Sequence, residues 1–120
     1  MTCRDSGAIA NALDQWINVL PAQNNDYEKH LYEALGAYAT IEVINPGLLG
    51  RLLEASEPRA RAFAARIAGR WHDRMEDAIP LLSRRVNDEN AQVRMEAIAA
   101  LASIPLPESI TAIAEAVDHP

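Results

Sequence analysis

Cysteine is nearly missing from this chain: Cys3 is the only one in 120 residues. A single thiol closes no internal disulfide. It supplies neither a cysteine-rich zinc site nor the paired cysteines that attach c-type haem. Aromatic side chains are also few, with one Phe, two Trp and three Tyr. Val and Thr, the usual fillers of strands, are scarce beside Ala and Leu, so the composition points to helices. No run approaches the ~18 uninterrupted apolar residues of a membrane-crossing helix. The start, Met1-Thr2-Cys3-Arg4-Asp5, has no apolar stretch behind a basic opening and so does not read as a secretory leader. Cations are short too. The formal net charge is −6, and an acidic surface repels phosphate backbones, which disfavours nucleic acid as a partner.

What is present suffices for one domain spanning 1–120. With 49% apolar residues the chain is globular rather than disordered. Breakers cut it into short helical segments. Asp5-Ser6 caps a first helix to about Leu20, carrying Ile9, Leu13, Trp16, Ile17 and Leu20 on one face. Asp26 caps a second, with Tyr27, Leu31, Ala34, Leu35 and Tyr38 inward. Asn45-Pro46 and Ser56-Glu57-Pro58 open a third and a fourth, each with proline in the first turn. A fifth is expected from Asp77 to Val86, a sixth from Ala91 to Ser103 and a seventh from Glu108 to Val117.

The helices repeat. Sliding the chain by 33 residues lays Leu49 on Leu82, Leu53 on Val86, Arg61 on Arg94 and Ala64 on Ala97. The same shift backwards lays Trp16 on Leu49 and Leu31 on Ala64. One hairpin cannot bury its apolar stripe alone, so such units stack and share a core. The expected fold is therefore all-α, a solenoid of about three to three and a half antiparallel helical hairpins. Small Ala residues in each second helix allow close helix approach.

Asp88-Glu-Asn-Ala-Gln-Val-Arg94-Met-Glu-Ala-Ile-Ala-Ala-Leu101 resembles a HEAT repeat: an acidic turn, then Val-Arg, then Ala and Leu at helical spacing. Ser56-Glu-Pro-Arg-Ala-Arg61-Ala-Phe-Ala-Ala has the same outline. In such repeats the arginine reaches the acidic turn of its own or a neighbouring unit, which makes Arg61, Arg94, Asp88, Glu57 and Pro58 the structural repeat positions. The order of Asp26-Tyr-Glu-Lys-His-Leu-Tyr-Glu-Ala-Leu35, Asn45-Pro46, Pro58 to Ile67, Gly69-Arg-Trp71-His-Asp73-Arg74 and Val93 to Ile98 is similar to the HEAT region of large putative membrane-bound dehydrogenases of planctomycetes and related bacteria. Those proteins join a sugar-dehydrogenase-like β-propeller, a HEAT region and a c-type haem domain. The resemblance implies a linking or docking segment of a larger, exported protein, whose partners are proteins or neighbouring domains of the same chain.

Against that stand the site-like clusters. Trp71-His72-Asp73-Arg74 could pair His72 with Asp73 as base and orienter, but helical neighbours point about 100° apart, which favours a packed turn with caps and ion pairs. His30 or His72 as ligand to a haem held elsewhere is a weaker reading, as is a metal site at Asp26, Glu28 and Glu33. Arg59, Arg66, Arg70 and Arg74, with Trp71, form the candidate interaction surface. They carry the alternative function, a HEAT-like nucleic-acid binder or lyase using an arginine-lined groove. No catalytic residue, metal site or cofactor is assigned, and the chain alone is not expected to be an enzyme.

Overall fold

The computed structural model describes residues 3–21 and 26–117, with side chains described from 7–21 and 26–115. Seven α-helices follow one another: α1 (Cys3–Val19), α2 (Tyr27–Ile41), α3 (Pro46–Leu53), α4 (Pro58–Arg70), α5 (Ala78–Arg85), α6 (Ala91–Ala102) and α7 (Pro107–Val117). A 3₁₀ turn, His72–Arg74, links α4 to α5, and no strand occurs among the described residues. The fold is all-α. α1–α2, α3–α4 and α5–α6 are antiparallel hairpins, and α7 adds half of another.

Local chemistry sets most of the joints. Asn45 Oδ1 accepts the Leu48 amide at 3.1 Å, filling one of the donors a helix start leaves open, and Pro46 occupies the first position, where no amide hydrogen is needed. Asn90 does the same for α6, accepting from Gln92 and Val93. Glu57 is the N-cap of α4 and accepts from the Arg59 amide. α1 departs from expectation. It begins at Cys3, so Asp5 and Ser6 lie inside its first turns rather than ahead of it. α2 ends with Glu42 in the left-handed region at φ 57°, a conformation that glycine adopts more readily.

The hairpins stack in two layers. α2, α4 and α6 lie side by side in one, and α3, α5 and α7 in the other. The most extensive interface joins α4 to α6. Its closeness depends on small residues: a Cβ at Gly69 would lie 2.7 Å from the Ala100 Cβ. The repeat register holds in the core, where Leu49 and Leu82, and Ala64 and Ala97, are all fully buried. It breaks at the first hairpin. Trp16, which the register lays on Leu49, is 37% exposed. α2 is tied to α1 instead by Tyr38, whose hydroxyl donates to Asp14. Burial and that carboxylate push the Tyr38 phenol up to about 12.

Candidate functional site

The most organised polar group in the molecule is centred on Arg61, which is only 5% exposed. Its Nε and Nη2 donate to the two Asp88 oxygens at 2.9 and 3.0 Å. Its Nη1 donates to the carbonyls of Ala55 and Ser56 at 2.8 and 3.2 Å. One guanidinium thus ties the α3–α4 turn to the α5–α6 turn. Asp88 also accepts from Arg85 and from the Asn90 amide, at 3.2 and 2.9 Å. Burial pushes the Asp88 carboxyl up, but Arg61, the Asn90 amide and Arg85 outweigh it and hold it below the usual carboxylate range.

Arg94 repeats part of this arrangement. Its Nη1 donates to the Asp88 carbonyl at 2.7 Å, as Arg61 Nη1 does to Ala55. The Glu57 carboxylate accepts from neither arginine's side chain among the described residues. It is used at the α4 N-cap, and the role foreseen for it falls to the carbonyls of Ala55 and Ser56.

One repeat earlier, the position equivalent to Arg61 is Glu28. It ties the same turn from the other side and with opposite charge. Oε2 accepts the Ser56 amide at 2.9 Å, and Oε1 accepts the Ser56 hydroxyl and the Glu57 amide at 2.8 and 3.1 Å. The Ser56 amide, with the Ser56 hydroxyl and the Glu57 amide, holds the Glu28 carboxyl below its ordinary value. Sequence reasoning weighed Glu28 only as a metal ligand, and no metal-holding cluster occurs among the described residues. Its signal was its place at the repeat position, one unit before Arg61.

The candidate arginine surface is dispersed. Arg66 makes a two-pronged contact with Glu96 at 3.0 and 3.3 Å, Arg70 pairs with Glu42 at 3.2 Å, and Arg84 lies 3.7 Å from Glu54. Arg74 turns to Asp73 at 3.7 Å, and not to the neighbouring Glu76 or Asp77. Trp71 is fully buried under the α4–α5 joint and belongs to no surface. Its large ring closes the gap where the chain leaves α4, so packing claims it. His72 Nδ1 faces the Gly69 carbonyl at 2.8 Å, which takes it out of any pairing with Asp73 through that nitrogen. His30 is half-buried, edge-on to Trp16 with ring centres 5.5 Å apart.

Arg59 remains exposed, on a groove of about 700 Å³ between α2 and the start of α4. Lys29 and Tyr32 line it, with Glu28, Glu33 and Glu57. Tyr32 stacks at a tilt on Phe63, ring centres 4.7 Å apart. The groove therefore mixes charges of both signs beside an aromatic pair. No described helix is long and apolar enough to cross a membrane.

Stacked antiparallel hairpins, joined turn to turn by an arginine and an aspartate, define an α-solenoid repeat protein. The HEAT repeats family matches residues 45–120, more than half of the chain, so this chain belongs to the HEAT-repeat family. The matched stretch starts at the α3 cap and leaves out the hairpin where the register breaks. No curated protein and no solved structure matches the chain significantly. HEAT repeats are generally non-catalytic and commonly mediate protein interactions.

Proposed function

We propose that this chain is a non-catalytic docking module within a larger exported protein, where it links a sugar-dehydrogenase-like propeller to a c-type haem domain. The observation that carries the docking half is where the cations go. Arg61, Arg66, Arg70, Arg84 and Arg85 each lie against a carboxylate, most of them across a hairpin boundary. Their charge is partnered by these carboxylates and is not gathered to face a ligand. The linking half is supported by the order of sequence motifs that resembles the dehydrogenase HEAT regions.

A second reading, an arginine-groove nucleic-acid binder or lyase, draws on Arg59, Lys29 and the Tyr32–Phe63 pair. Stacking platforms beside cations do bind single strands. The three carboxylates in that groove weigh against it, since each repels phosphate. Calorimetry separates the two readings. The purified chain, mixed with separately produced propeller and haem domains of such a dehydrogenase, is expected to bind at least one. Binding to neither, together with micromolar binding of single-stranded DNA, would replace the docking reading with the second.

A further inference from the structure

Most of the described arginines lie against a carboxylate, but Arg59 does not. It and Lys29 are exposed, make no ion pair among the described residues, and line the same groove of about 700 Å³ between α2 and the start of α4. The 33-residue register gives the reason. In the α4–α6 seam Glu96 accepts from both Arg66 and Gln92, and Ala62 and Ala65 are buried. One unit earlier the same places hold Phe63 for Glu96, Glu33 for Arg66, Arg59 for Gln92, and Lys29 and Tyr32 for the two alanines. Phe63 offers no carboxylate, so Arg59 has no acceptor where Gln92 has one. Glu33, standing where Arg66 reaches across, has an aromatic ring opposite it in place of a charge.

Tyr32, in place of a buried alanine, is 36% exposed and leans on Phe63. An aromatic pair thus replaces an ionic knot, and Lys29, Arg59 and Glu33 are left around it with no ion pair among the described residues. The other two acids of the groove are engaged by the chain itself. Glu28 accepts from the Ser56 and Glu57 amides, and Glu57 accepts from the Arg59 amide.

We propose that this groove seats a short peptide segment of a partner protein, with one carboxylate answering Arg59 and Lys29 and a neighbouring apolar side chain on the Tyr32–Phe63 pair. The proposal rests on the docking reading and names the chemistry that the partner presents. It does not depend on which domains the module links. Tyrosine and arginine are the side chains that carry much of the affinity at protein interfaces, and a carboxylate suits a guanidinium whose donors are free, because it can accept on two prongs. A groove of this size falls within the range that holds a drug-sized ligand, which is a few side chains and not the face of a domain. Glu33 beside the aromatic pair sets the limit on charge. A single carboxylate can keep clear of it, whereas a strand with a phosphate at every nucleotide cannot.

The test selects a displayed library of random peptides on the 120-residue chain. Enriched peptides are labelled with fluorescein and titrated by fluorescence anisotropy. They are expected to carry Asp or Glu beside a large apolar residue. Their affinity is expected to fall about ten-fold in the Lys29→Ala, Arg59→Ala double variant and to fall in Tyr32→Ala. It is expected to hold in Arg84→Ala, whose cation lies near Glu54 outside the groove. Arg59→Glu is expected to turn the preference towards peptides with Lys in place of the acid, an effect that misfolding does not produce. Failure to enrich any peptide, enrichment without an acid, or affinities that the groove variants leave unchanged would overturn the proposal. So would micromolar binding of oligothymidine that the same variants abolish, which would give the groove to nucleic acid. The expected peptide behaviour supports the groove even where neither the propeller nor the haem domain binds, so the groove and the linking role fail separately.

Discussion

The two junctions of the stack solve one problem with opposite chemistry. Both secure the α3–α4 turn, and both use the same repeat position, Glu28 in the first unit and Arg61 in the second. Glu28 takes the amide side of the turn, accepting from Ser56 and Glu57 near solvent. Arg61 takes the carbonyl side from within, and extends a second hand to Asp88 of the next unit. The first junction is a single-turn cap that a water molecule can partly replace. The second is a buried ion pair spanning two turns, and only Arg85 and the Asn90 amide stay on Asp88 when it is broken. The same position therefore contributes very different amounts to the fold, which yields a ranked set of expectations.

The largest loss is expected for Arg61→Ala. It leaves Asp88 buried with only Arg85 and one amide, and breaking such a pair costs about 3–5 kcal/mol. Urea unfolding followed by circular dichroism measures it. Glu28→Ala removes an exposed cap and is expected to cost about 1 kcal/mol in the same assay. Equal losses at the two positions would erase the contrast between the junctions.

Gly69→Ala comes next. The added Cβ meets Ala100, on helix backbone that cannot swing aside. A cost of about 1–3 kcal/mol is expected from overpacking, and Ala100→Gly in the same protein should restore much of it. If Gly69→Ala stabilises the protein, the tight α4–α6 approach is wrong.

Acid reaches both junctions. Asp88 and Glu28 are held below their ordinary values in the folded state. Each therefore contributes stability that is present above its unfolded pKa and lost as pH falls through the folded one. Stability should decline as pH drops below about 4, the normal range for carboxylates. The combined variant Glu28→Gln and Asp88→Asn, less stable at neutral pH, should show a flatter decline. A wild-type curve no steeper than the variant's would remove the carboxylates from the account.

The smallest effect is a gain. Glu42 holds a left-handed conformation at the end of α2. Glycine there relieves about 1–2 kcal/mol of left-handed strain, of which its freer unfolded backbone takes back about 0.5–1 kcal/mol, and little is lost with the exposed Arg70 pair. Glu42→Gly should thus raise the melting temperature slightly.

Much of the fold was legible in the sequence because its joints are local. Asn45-Pro46, Glu57-Pro58 and Asn90 announce helix starts through their own side chains and rings, and the 33-residue register places Leu49, Leu82, Ala64 and Ala97 in the core. The candidate surface was less legible because charge partners in a solenoid are not neighbours in sequence. Arg66 and Glu96 are 30 residues apart, and Arg70 and Glu42 are 28 apart. An arginine run reads as a basic patch until each member is matched to an acid about one repeat away. Trp71 carried two readings, a packed turn and a surface contact, since a bulky residue at a helix end serves equally well as either, and its burial takes the packed turn. The position-28 carboxylate was missed because its role is set by the turn of the next hairpin.

The account rests on Arg61 and Asp88 being one structural unit and not two independent surface charges. A double-mutant cycle of Arg61→Ala, Asp88→Ala and the pair, followed by urea unfolding, tests it directly. Coupling of at least ~1–3 kcal/mol is expected, the double variant being much less damaged than the sum of the singles. No coupling, with Arg61→Ala folding as stably as wild type while losing affinity for a polyanion such as heparin, would contradict the structural reading and return these arginines to a ligand-binding role.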